Sequence, residues 1–273
     1  MKTKDLFNDM INVFKREFKN VMKKFNDERR FELNESQNHR FCFSLEYYNQ
    51  KIIDVNYNKN KIMEEYFQND INKKELEDIF IYLARHEYCH NLITDSSEEL
   101  KDSKIQGTEI KQIQRFNYIN FENQFGEFFA DYMVKRHFDN IPQKYLEKVL
   151  VYFEEEMDLN YYCHGVLPIS GDSINTRDQL QIYSFLRNLY KFYICGEWNL
   201  LKPLFQNINF DNLLKFFRLI FKYFELTITN LKDISKIRNS IITLVKRLDT
   251  CKFENLIFHN KLDNQVIEIL KFR

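Results

Sequence analysis

Residues 73–90 read KKELEDIFIYLARHEYCH, and the spacing of their apolar positions decides what kind of fold this chain adopts. Ile79 and Leu83 stand four apart, and the same pitch of three or four residues runs on into His86 and His90. That pitch is the 3.6-residue repeat of an α-helix, so the stripe that faces the core ends in two imidazoles. Burying two imidazoles is costly unless something polar meets them.

Working outward, Leu6, Met10, Phe14, Phe18, Val21 and Phe25 also recur every three or four residues and predict a first helix over residues 4–27. The period then falls to two. Phe41, Phe43, Leu45 and Tyr47 alternate with polar neighbours, Asn49-Gln50 reads as a turn, and Ile53, Val55 and Tyr57 alternate again, which predicts a β-hairpin over 41–57. Downstream, residues 94–104 are polar and a further helix is expected over 121–137. Beyond Pro142 the pattern is amphipathic and helical, as in Leu146, Val149, Leu150, Phe153 and Met157 or Leu231, Ile234, Ile237, Ile241, Leu244 and Leu248. The only dense group of helix breakers, Gly165, Pro168 and Gly171, predicts a long loop within 158–176. The expected fold class is α+β, predominantly helical, with a small hairpin or sheet in a domain over residues 1–140 and a helical domain over 141–273.

Composition excludes several function classes. A chain of 273 residues that is 44% hydrophobic can bury a full core, so disorder is not the expectation. Forty acidic and forty basic side chains cancel, which leaves no global field to draw the protein to nucleic acid or an anionic membrane. Five scattered cysteines without a C-x-x-C pair fit a reducing compartment. The first residues lack the apolar stretch of a signal peptide, and no run of apolar residues is long enough to span a bilayer. A soluble, cytoplasmic protein is expected.

Residues 86–90, His86-Glu87-Tyr88-Cys89-His90, form the H-E-x-x-H pattern inside a helical segment. Side chains four apart share one helix face, so the two imidazoles can converge on one ion at about 2.0–2.1 Å, with Glu87 one step round the helix. The plainer alternative is a pair of satisfied core histidines. A catalytic zinc site needs a third protein ligand. The metzincin signature is excluded, because it requires Gly and His where this chain has Ile93 and Ser96. Glu127, followed by Ala130 and Asp131 on the same helical face, is one candidate, and Glu122, Asp131, His137 and His164 are others. Cys89 points away from the histidine face and reads as a small buried hydrophobe.

H-E-x-x-H on one helix followed by E-x-x-A-D on the next resembles the gluzincin metallopeptidases, especially the minimal ones and the ImmA/IrrE-type intracellular peptidases, over roughly residues 1–140. The resemblance implies a zincin-like N-terminal domain holding one zinc ion per chain. His86, His90 and Glu127 would be its ligands, Glu87 the general base and Asp131 the carboxylate that orients a ligand histidine. It also implies a peptide or protein substrate, received as an added strand on one strand of the 41–57 hairpin. A donor to the developing oxyanion is expected too, and His164, beside Tyr161 and Tyr162, is the candidate. The alternative from another class is a non-catalytic or latent zinc-binding helical protein that regulates or binds a partner. Glu87 favours the enzyme, since a structural zinc site has no use for a carboxylate between its histidines.

Overall fold

The computed structural model describes residues 3–37, 42–49, 51–67, 71–101, 127–138, 141–155 and 187–205, together with 218, 221, 222 and 225. These residues form a predominantly helical α+β protein with one small mixed sheet. The chain divides into two compact units, Met1–Glu98 with Phe129–Tyr145, and Glu99–Phe128 with Leu146–Arg273. Among the described residues no helix is long and apolar enough to cross a membrane.

The first unit begins with α1 (Thr3–Lys24), whose Phe7, Met10, Phe14, Phe18 and Val21 are buried, as the helical period predicts. The helix stops at Asn26, which takes a left-handed φ of 54°. The amide of Asp27 then donates to the Met22 carbonyl and that of Asn26 to Lys23, the paired bonds that satisfy the last orphan carbonyls of a helix. Asparagine tolerates the left-handed region better than most residues with a Cβ.

Three strands follow, β1 (Arg30–Glu35), β2 (Phe43–Asn49) and β3 (Ile52–Tyr57). Their order in the sheet is β1-β3-β2, with β2 antiparallel and β1 parallel to the central β3. The hairpin is therefore present, with an irregularity between Glu46 and Asn49, and β1 is an addition to what the sequence predicts. Ile53 and Val55 of the central strand are fully buried. The aromatic residues of α1 supply one wall of that core: Phe14 stacks on Phe43 and Phe18 on Phe31, each pair with ring centroids 4.2 Å apart. Such pairs add about 0.5–1.5 kcal/mol beyond their area burial.

A short helix, α2 (Lys59–Tyr66), is capped by Asn58, whose side chain accepts from the Lys61 amide. Next comes α3 (Lys73–Lys101), which opens on a reciprocal capping box. Asn72 Oδ1 accepts from the Glu75 amide at 3.0 Å, and Glu75 Oε2 accepts from the Asn72 amide at 2.9 Å. Leu76, Ile79, Phe80, Tyr82, Leu83 and Ala84 are all buried, so α3 is covered on more than one side. It also runs past the point where the sequence turns polar, because Glu98, Glu99, Leu100 and Lys101 are good helix formers. Residues 127–137 form α4, and the Lys24 ammonium donates to the His137 carbonyl at its C-terminal end, where a cation is favoured. The first turn of α5 (Gln143–Glu155) closes this unit, with the Tyr145 ring 4.8 Å from that of Tyr82.

In the second unit, residues 187–195 form α6 and Trp198–Phe205 a 3-10 helix. Tyr190, Trp198 and Phe221 are buried together there, with the Tyr190 and Phe221 centroids 5.2 Å apart and Phe128 against Tyr190 at 5.5 Å. The predicted loop over 158–176 and the helix over 231–248 lie outside the described residues.

Candidate metal centre

The middle of α3 is fixed from one side by the end of α1. The left-handed stop at Asn26 delivers Asp27, which is 7% exposed, to a four-donor pocket. The Arg29 amide donates to it at 3.1 Å, Arg29 Nε at 2.8 Å and Nη2 at 2.6 Å, and the Tyr88 hydroxyl at 3.0 Å. Burial pushes the Asp27 carboxyl upward, but the Arg29 bonds and charge and the Tyr88 bond outweigh it and hold the pKa below its ordinary 3.8. Tyr88, buried within the H-E-x-x-H stretch, is thereby tied to the turn between α1 and β1.

Tyr88→Phe removes a hydrogen bond to a buried anion and is expected to cost about 1.5–3 kcal/mol in urea unfolding at pH 7. The sign with pH follows from the lowered pKa. The stabilisation is complete above 3.8 and is lost as pH falls through the lower folded value, so wild type and variant converge in acid.

On the adjoining face of α3 stand Tyr82, His86 and His90, successive residues at i, i+4 and i+8. His86 is 6% exposed and Asp131, on α4, is fully buried. His86 Nδ1 lies 2.9 Å from Asp131 Oδ1, and the Tyr82 hydroxyl donates to that same oxygen at 2.8 Å. An ionised carboxylate only accepts, so Nδ1 carries a proton, and in the neutral imidazole the lone pair of His86 is on Nε2. His86 Nε2 lies 3.1 Å from His90 Nε2, with the two rings nearly perpendicular at 86°.

Without an ion, a neutral His86 of this tautomer accepts a hydrogen bond at Nε2 from His90. With one, both nitrogens turn lone pairs to it. Two nitrogens bound tetrahedrally at about 2.05 Å stand about 3.3 Å apart, close to the observed spacing.

The third member is Glu127. Ligand atoms of His86, His90 and Glu127 all lie within 4.8 Å of one another, the one such group among the described residues. The helical spacing of α4 places Glu127 one turn before Asp131, so the two carboxylates share a helix face. Ligation requires the three ligand atoms to draw closer than that 4.8 Å, which the three side-chain torsions of Glu127 allow. Its Oε2 is 3.5 Å from Arg187 Nη1 of α6, a part-exposed pair of modest strength. The donor set of two imidazoles and one carboxylate fits a divalent transition metal.

Glu87 is half-buried beside this group. It contributes, with Tyr145, Cys42 and Glu65, to the electrostatic surroundings of the Tyr66 hydroxyl, whose pKa is raised well above 10.0, first by burial and then by these neighbours. Cys89 is fully buried, and burial first, then Asp131, push its thiol far above 9.0 against the opposing effect of Lys24. Cys89 is not a member of the His86, His90 and Glu127 group.

The structure brings together His86, His90, Glu127 and Asp131, with Glu87 alongside. It places His137 apart from them, at the end of α4 with its ring edge against Phe25 at 5.2 Å. His164 and Glu122 lie outside the described residues. Tyr82 and Arg187 are absent from the sequence reading. Tyr82 was within reach of it, since it stands one helical turn before His86, whereas no local pattern links Arg187 to Glu127. No protein-family model, no curated protein and no solved structure matches this chain.

Proposed function

We propose that this protein is a zinc-dependent peptidase of the gluzincin type, with His86, His90 and Glu127 as ligands and Glu87 as general base. The observation that carries the reading is the pair of Nε2 atoms 3.1 Å apart, one of which is held in its ligating tautomer by the buried Asp131. Two histidines packed only for their bulk need neither feature.

A bound zinc ion supplies Lewis acidity, which activates water near neutral pH and polarises a peptide carbonyl. The rest belongs to the chain. His86 and His90 present fixed lone pairs from one helix face, and Glu127 brings the negative charge that makes the site selective for a cation. Glu87, one residue round from His86, takes the proton of the attacking water and delivers it to the departing amine. Of the hairpin's two strands, β3 is central and already paired on both sides, so β2 is the edge on which a substrate backbone can add as a further strand.

The test is elemental analysis of the purified protein. About one zinc per chain is expected, with loss of the metal in both His86→Ala and Glu127→Ala. A folded, metal-free wild type that refuses added zinc would sink the reading.

A further inference from the structure

Asp131 Oδ1 accepts two hydrogen bonds, from His86 Nδ1 at 2.9 Å and from the Tyr82 hydroxyl at 2.8 Å. Tyr82 is 2% exposed, and Tyr82 Oη also stands 3.5 Å from His86 Nδ1, so the three groups form a closed triangle beneath the two Nε2 atoms. One bond from the imidazole does not by itself fix a carboxylate, because the torsion that turns an aspartate head is broad. A second donor on the same oxygen fixes it.

Tyr82 is well placed to be that donor. It sits on α3 one turn before His86, with ring centroids 5.7 Å apart, so donor and imidazole are held to one another by the same rigid helix. Its ring is packed against Tyr145, which removes the freedom of the hydroxyl to swing away. Phenylalanine would fill the same space, and the hydroxyl is tolerated in this dry setting because Asp131 accepts from it.

We propose that Tyr82 is a positioning residue of the metal centre: by holding Asp131 Oδ1 on His86 Nδ1 it fixes the orientation and tautomer in which His86 turns its Nε2 lone pair to the ion. The proposal rests on the metal-centre reading above. It extends the chain of support one residue beyond Asp131, and such outer partners are worth about 10–100-fold in metal affinity.

The experiment is a double-mutant cycle on zinc affinity, read by competition with a chromophoric chelator, in wild type, Tyr82→Phe, Asp131→Ala and the double variant. Tyr82→Phe is expected to weaken zinc about 10-fold in the wild-type background and to have no effect once Asp131 is gone. Nitrogen-15 spectra of the metal-free protein supply a readout that packing alone does not move: His86 is expected as the Nδ1–H tautomer in wild type and as a mixture in Tyr82→Phe. Unchanged zinc affinity in Tyr82→Phe, or an equal loss in the Asp131→Ala background, overturns the role of Tyr82 while leaving the zinc site standing. Should Tyr82→Phe fail to fold, the wild-type spectrum decides alone, and an Nε2–H tautomer at His86 overturns the proposal. A wild type that binds no zinc removes the metal centre itself, and this inference with it.

Discussion

Glu87→Gln is expected to lower peptide hydrolysis by about 10²–10⁴-fold, the usual contribution of a positioned general base. The measurement is turnover of a mixture of internally quenched peptides, with bound zinc determined on the same samples. Glutamine keeps the size and most of the hydrogen bonding of glutamate but cannot take a proton at neutral pH. Glu87 lies outside the His86, His90 and Glu127 group, so its replacement should leave the metal in place. The two readouts therefore separate: zinc retained with activity lost assigns the proton transfer to Glu87. Zinc retained with activity unchanged would assign the hydrolysis to another base, and zinc retained with no activity even in wild type would leave a metal-binding protein without catalysis.

The second large effect is thermal. A ligand that binds only the folded chain at 1,000 times its dissociation constant stabilises it by about 4.1 kcal/mol. For a chain of this size each kcal/mol moves the midpoint by about 2–4 °C, so zinc should raise the melting temperature by about 8–16 °C over the chelator-treated protein. His86→Ala should lose that shift completely, since the ion then keeps one imidazole and one part-exposed carboxylate. An equal zinc-dependent rise in His86→Ala would place the bound ion elsewhere in the chain. The shift is to be followed by circular dichroism and by a separate probe in each unit, because the two units need not melt together.

How far the sequence revealed this architecture depended on whether each feature was local. The stripe of α1 and the alternation of β2 and β3 are written in adjacent residues and were legible as such. Strand β1 was not. Only Phe31 and Leu33 are apolar in it, charged or polar residues stand between and beside them, and its partner is the parallel β3, reached only after β2 has intervened. Its strand character comes from pairing and from Phe18 stacked on Phe31, which are tertiary effects.

The site shows the same division. His86 and His90 are four apart on one helix, so their convergence followed from helical geometry alone. Glu127 and Asp131 shared a face by the same rule, but their meeting with α3 was implied only by a family resemblance, as no spacing rule connects positions so far apart in the chain. The hydroxyl of Tyr82 was hidden by its identity: an aromatic residue on an apolar stripe looks like packing until a buried acceptor is placed against it.

The left-handed stop at Asn26 has a consequence for how freely this sequence can drift. A residue that ends a helix is commonly exchangeable for any other good stop, and here asparagine or glycine would both serve. A β-branched residue at that position would either resist the turn or extend the helix, and Asp27 would leave with it. The carboxylate that anchors Tyr88 would then no longer face α3, and the residues between the two imidazoles would lose their tether. A substitution at a surface turn some sixty positions upstream would thus reach the helix that carries His86 and His90, where its effect would be mistaken for one on helix length. Tolerance of substitution at residue 26 is expected to be narrower than local backbone preference alone requires.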